Sequence, residues 1–134
     1  MTFTFYIKLY FSTLGVFLVI DLFWLGLVAR GFYRERLGFL MRSETNWVAA
    51  VLFYLIFVAG LLIFAVVPGL RAGLLSRALF LGALYGLFTY ATYDLTNLAT
   101  LKDWPVGLTV VDIIWGMFLA GSVSTIAFLI GDLL

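Results

Sequence analysis

The amino-acid sequence predicts an all-α integral membrane protein, built as a single bundle of four transmembrane helices running up, down, up and down. Three observations predict it. Hydrophobic residues fill 65% of the 134 positions and charged residues only 11%, less than half the roughly 25% charged of a soluble domain. Mean hydropathy is +1.17. Four apolar runs are separated by short connections, each run long enough at 1.5 Å per residue to cross a hydrocarbon core of about 30 Å. No stretch shows the strict alternation of a barrel strand. The prediction is one transmembrane domain over residues 1–134, with helices at about 3–28, 47–67, 76–101 and 106–130.

The first run, Phe3 to Val28, is too long for a signal peptide, lacks a basic leader and ends without an A-x-A-like site. It is expected to be a retained helix with Lys8 snorkelling to the near surface. Arg30 to Arg42 mixes four arginines with Phe, Tyr, Leu and Met. That mixture suits a short segment lying in the interface plane. An ordinary loop is the simpler reading, with Arg30, Arg34, Arg36 and Arg42 meeting lipid headgroup phosphate. The second run, Trp47 to Val67, is expected to stop at Pro68-Gly69. The third begins near Ser76 and closes on Tyr90 to Thr100. Lys102-Asp103-Trp104-Pro105 makes a tight connection, because Pro cannot continue the helix before it. Val106 to Ile130 is the fourth.

Composition excludes several chemistries. There is no Cys and no His, so disulfides, thiolate or His-ligated metal sites and a His acid/base are all absent. No cofactor or metal is expected. A net charge of +1 gives no footprint for nucleic acid; membrane lipid is the expected partner.

Antiparallel order then brings the acids to one depth. Odd helices end, and even helices begin, on the same side, so Asp21, Asp94 and Asp112 fall in one half of the bilayer. Each lies about 9–10 Å below that surface, within a turn or two. A charge there is expensive, by about 2.5–3.5 kcal/mol at a helix centre. Asp94 shares a helix face with Asn97 and Tyr90. Trp24 and Trp115 each follow an Asp by three positions, in the echoing runs Val19 to Trp24 and Val110 to Trp115. The echo resembles an inverted duplication, although apolar sequences resemble one another easily by chance. The candidate binding site is therefore Asp21, Asp94, Asn97 and Asp112, walled by Trp24, Trp115, Tyr90 and Tyr93. With one or two basic groups at most in reach, these acids should titrate as one coupled set. The structural alternative is that they glue helices together through Trp, Tyr and Asn hydrogen bonds.

Gly82 and Gly86 form a G-x-x-x-G, and Gly116, Ala120 and Ser124 form a second small-residue ridge. Both should pack helices within the bundle first, and offer a homodimer face second. Five basic residues on the odd connections against three on the other side place both termini outside, in the periplasm.

The motifs D-x-x-W-L-G at Asp21 to Gly26, Y-x-T-Y-D-L-T-N-x-A-T-L at Tyr90 to Leu101 and D-x-x-W-G at Asp112 to Gly116 together resemble an uncharacterised family. It consists of small bacterial four-helix membrane proteins known as domain of unknown function 2177. The resemblance covers nearly the whole chain and implies a stand-alone protein of the bacterial inner (cytoplasmic) membrane. It implies no activity, cofactor or catalytic residue. Three functions remain open: binding or translocating a proton or small cationic ligand, an enzyme acting on a lipid or isoprenoid, or an accessory subunit of a larger complex. Against the enzyme, each acid stands alone on its helix, unlike the Asp-rich helix of lipid-headgroup phosphotransferases.

Overall fold

Apolar residues dominate the sequence so thoroughly that every backbone group must find its partner within its own segment. The computed structural model, which describes residues 1–134, meets this with helices alone and contains no strand. Helix α1 spans Phe3–Phe23 and runs on through a wide π turn, Trp24–Val28. Helix α2 spans Arg30–Leu37. Helix α3, Trp47–Leu61, continues through a second π turn, Leu62–Val66, into α4, Val67–Ala72. Helices α5, Leu75–Thr100, and α6, Val106–Leu133, complete the chain.

Three helical stretches are long and apolar enough to cross a membrane: Phe3–Val28, Trp47–Ala72 and Val106–Leu133. Helix α5 has 26 residues but is the least apolar of the long helices. Its threonines nevertheless hide their hydroxyls. Thr89, Thr92, Thr96 and Thr100 each donate to the carbonyl four residues earlier in the same helix, which removes the need for an outside partner.

Two expectations are corrected. Pro68-Gly69 does not end the second helix, which runs on to Ala72. The π turn before it widens the backbone, with the Val67 N–H bonding the Leu62 carbonyl five residues back, and this gives the Pro68 ring room beside the preceding turn so that the helix continues past it. The stop comes at Gly73, in the left-handed region at φ 66°. Its N–H donates to Leu70 and that of Leu74 to Gly69, a Schellman closure that favours glycine. The second correction concerns Arg30 to Arg42, whose first eight residues form a helix rather than a loop.

Helices α5 and α6 lie against each other along most of their length, and α1 packs on α6 and on α3. The buried core between α1, α3 and α6 includes Leu9, Phe17, Val58, Leu61, Leu119 and Val123. Two tyrosines tie helices by bonding main-chain carbonyls: Tyr10 to Leu55 at 2.8 Å and Tyr85 to Phe57 at 3.0 Å. Beyond Phe57, toward Trp47, α3 keeps its hold on α1 through the Tyr10 bond to Leu55 and the Phe53 and Tyr54 rings beside Phe17, but its outer face is uncovered. Trp47, Val48, Val51, Leu52 and Phe53 are all exposed there. The small-residue ridges meet inside one chain, with Gly82 against Ser124 and Ala120, and Gly86 against Gly116 and Ala120. All five residues are buried by this contact.

Candidate functional site

The site forms where α1 and α5 finish and α6 begins. A cavity of about 510 Å³ opens there, lined from five helices by Asp21, Leu25, Tyr33, Phe53, Tyr54, Phe57, Thr89, Tyr90, Tyr93, Asp112 and Trp115. No Lys or Arg is among them. Asp21 is buried, Asp94 is fully buried and Asp112 is half-buried. Asp94 lies behind the wall, its carboxyl abutting that of Asp112. Neither of its oxygens meets a hydrogen-bond donor. The three carboxylates do not converge at metal-ligand spacing.

The two D-x-x-W units face each other, as the antiparallel order of α1 and α6 requires. The rings of Trp24 and Trp115 stack at 4.3 Å and 8°. Each acid is served by the opposite unit's tryptophan. Asp21 sits beside the Trp115 indole nitrogen, which closes no hydrogen bond. Asp112 reaches Trp24 through Tyr33: the Tyr33 hydroxyl donates to Asp112 Oδ1 at 2.6 Å and accepts from Trp24 Nε1 at 3.2 Å. Burial, together with that carboxylate, pushes the Tyr33 phenol up, so it remains a neutral donor at any physiological pH.

Of the predicted residues, Asp21, Tyr90, Tyr93, Asp112 and Trp115 line the cavity. Trp24 supports it from behind through the stack, and Asp94 supports Asp112. Asn97 is not joined to the acids; it lies beside Tyr93, whose ring also meets Trp104 edge-on at 5.9 Å. The arginines stay outside the cavity. Arg30, Arg34 and Arg42 are exposed. Arg36 stands 3.9 Å over the Phe32 ring and 3.7 Å from Glu35.

Sequence reading missed Tyr33, Phe53, Tyr54, Phe57, Thr89 and Leu25. Tyr33 stands in an arginine-rich stretch whose charges draw attention to lipid phosphate. The available signal was its position five residues beyond Val28, where the first helical run ends, within reach of acids about 9–10 Å below that end of the bundle. Removing its hydroxyl takes a donor from Asp112 and an acceptor from Trp24. Tyr33→Phe should destabilise the fold by about 0.5–2 kcal/mol in reversible SDS unfolding, the range of intramembrane and charge-assisted hydrogen bonds. An unchanged unfolding midpoint would mean that the bridge contributes nothing.

No curated protein and no solved structure matches the chain. The family described as "Predicted membrane protein (DUF2177)" matches it over residues 6–129. The chain belongs to that family of membrane proteins.

Proposed function

We propose that this protein binds a small organic cation in the cavity between Asp21 and Asp112, in a bacterial inner membrane. One observation carries the reading: a cavity with two carboxylates at its floor, aromatic rings on its walls and no basic side chain in its lining. Carboxylates supply the charge, and the aromatic rings in the lining, Tyr54, Tyr90 and Trp115 among them, bring the quadrupole that attracts an ammonium group. The volume suits an organic ligand, since such sites run about 300–1,000 Å³. Asp94 abuts Asp112 from behind the lining and does not touch the ligand.

The same reading takes α5 as a fourth span. At 26 residues it is about 39 Å long, its threonine hydroxyls are satisfied internally, and it packs on α6. The bundle then runs up, down, up and down, with α2 on the cytoplasmic side beside the more basic connections and both termini in the periplasm. A homodimer through Gly82, Gly86, Gly116, Ala120 or Ser124 would require α5 and α6 to part, so a second copy would dock on another face.

Benzyltrimethylammonium is the test ligand, titrated calorimetrically into protein in lipid nanodiscs. Saturable binding that weakens as salt is raised is expected. Absence of saturable heat up to millimolar ligand would rule the reading out. A saturable response to a neutral lipid or isoprenoid alcohol, with none to the cation, would favour an enzyme or carrier of such lipids instead.

A further inference from the structure

The cavity has a polar inner end and an apolar mouth, and the two lie at the same depth. Asp21, Asp94 and Asp112 are each about 9–10 Å along their helices from the end that α2 covers, and so is Phe53 along α3. Tyr33, carried back by α2, closes the inner end by bonding Asp112 and Trp24. The opposite side is open. At Phe57, α3 holds α5 through the Tyr85 bond and the edge-on contact of the Phe57 and Tyr90 rings, whereas nearer Trp47 no hydrogen bond or ring contact joins the two helices. Leu25, Phe53 and Tyr93 rim the gap and are 40%, 45% and 59% exposed. Outside the rim, α3 shows only apolar side chains. One polar group of the cavity wall is buried without a partner, the Trp115 indole nitrogen beside Asp21. The inner end is thus built for a polar ligand, while the route to it runs through apolar surface.

We propose that the ligand is an alkylammonium amphiphile dissolved in the bilayer, which enters sideways between α3 and α5. Its charged head lodges at Asp21 and Asp112, and its chain stays in the mouth among Leu25, Phe53 and Tyr93, continuing into the surrounding acyl chains. A rigid, water-fed cavity would instead take a compact cation and reject a long chain. This inference rests on the cation reading above and narrows it to one ligand class and one route.

A chain-length series separates the two. Tetramethyl-, hexyltrimethyl-, dodecyltrimethyl- and hexadecyltrimethylammonium would be measured in nanodiscs, below their micellar concentrations, by displacement of benzyltrimethylammonium. With affinity referred to the aqueous concentration, a tail that remains in lipid should raise it about fourfold per methylene across the whole series. The Asp21→Asn/Asp112→Asn double variant should lose displaceable binding at every length. An affinity that peaks at a short chain and then falls, or that ignores chain length, overturns the lateral route while leaving cation binding intact. If no member of the series binds saturably, the cation reading fails and takes this inference with it.

Discussion

Gly86→Ala should loosen the bundle more than any other single methyl group added to it. A Cβ at Gly86 would fall on the carbonyl oxygen of Gly116 and within 2.9 Å of the Ala120 Cβ. Neither can swing away, since one is backbone and the other the first atom of a side chain. Helices α5 and α6 would have to move apart, which would also pull Gly116 of α6 away from the Tyr90 ring of α5 that lies against it. Overpacking costs about 1–3 kcal/mol in most cores, and a backbone collision belongs at or above the upper end. Gly15→Ala and Gly107→Ala supply the control. Nothing lies within 4 Å of a Cβ at either position, so helix propensity alone decides there, favouring Ala by up to about 1 kcal/mol. Reversible SDS unfolding should therefore place Gly86→Ala well below wild type and the two controls at or above it. Equal stability for all three would mean that α5 and α6 do not meet along these ridges.

Those ridges were legible in the sequence because small residues at helical spacing carry their own geometric meaning. The shared depth of the acids was legible too, since it follows from chain direction and helix rise alone. Facing was harder. In α1, α3 and α6 nearly every side is apolar, so hydrophobic periodicity cannot say which face turns inward. Polar residues had to supply that information, and they did so unevenly. Asp21 and Asp112 pointed to the cavity because an acid has no stable place against lipid. Asn97 shares a face with Asp94 in an ideal helix, yet it sits near the end of α5, where the Tyr93 side chain lies alongside it. Phe53, Tyr54 and Phe57 carry no mark separating a cavity wall from an ordinary lipid-facing aromatic. Pro68 misled for another reason. Much of its usual penalty is the clash of its ring with the preceding turn, and the π turn just before it widens the helix there. The crosswise pairing of each acid with the opposite unit's tryptophan could be read only once Tyr33 was in place.

Asp112→Asn should abolish most cation binding while leaving the fold in place, and this outcome divides a ligand site from helix glue. Asp112 is the acid that does everything at once: it lines the cavity, accepts from Tyr33 at 2.6 Å and abuts Asp94. Asn at this position is nearly isosteric. Its carbonyl oxygen can still accept from Tyr33, and its amide nitrogen can donate to Asp94, which has no donor now. Stability should hold or rise slightly, because a pair of acids becomes an acid and an amide. The ligand loses a charged contact in an apolar cavity, a difference of about 1.5–3 kcal/mol, which corresponds to roughly 10- to 150-fold weaker binding. Asp94→Asn offers the internal comparison. Asp94 is fully buried and lies outside the cavity lining, so an amide there would donate to Asp112 and dilute its charge without removing it. Its effect on affinity should be several-fold smaller, again with the fold retained. Calorimetry with benzyltrimethylammonium and SDS unfolding on the same preparations measure both quantities. A folded Asp112→Asn protein that binds within twofold of wild type would show that the charge serves no ligand. A large loss of stability in Asp112→Asn, with Asp94→Asn equally impaired, would assign both carboxylates to holding α5 and α6 together.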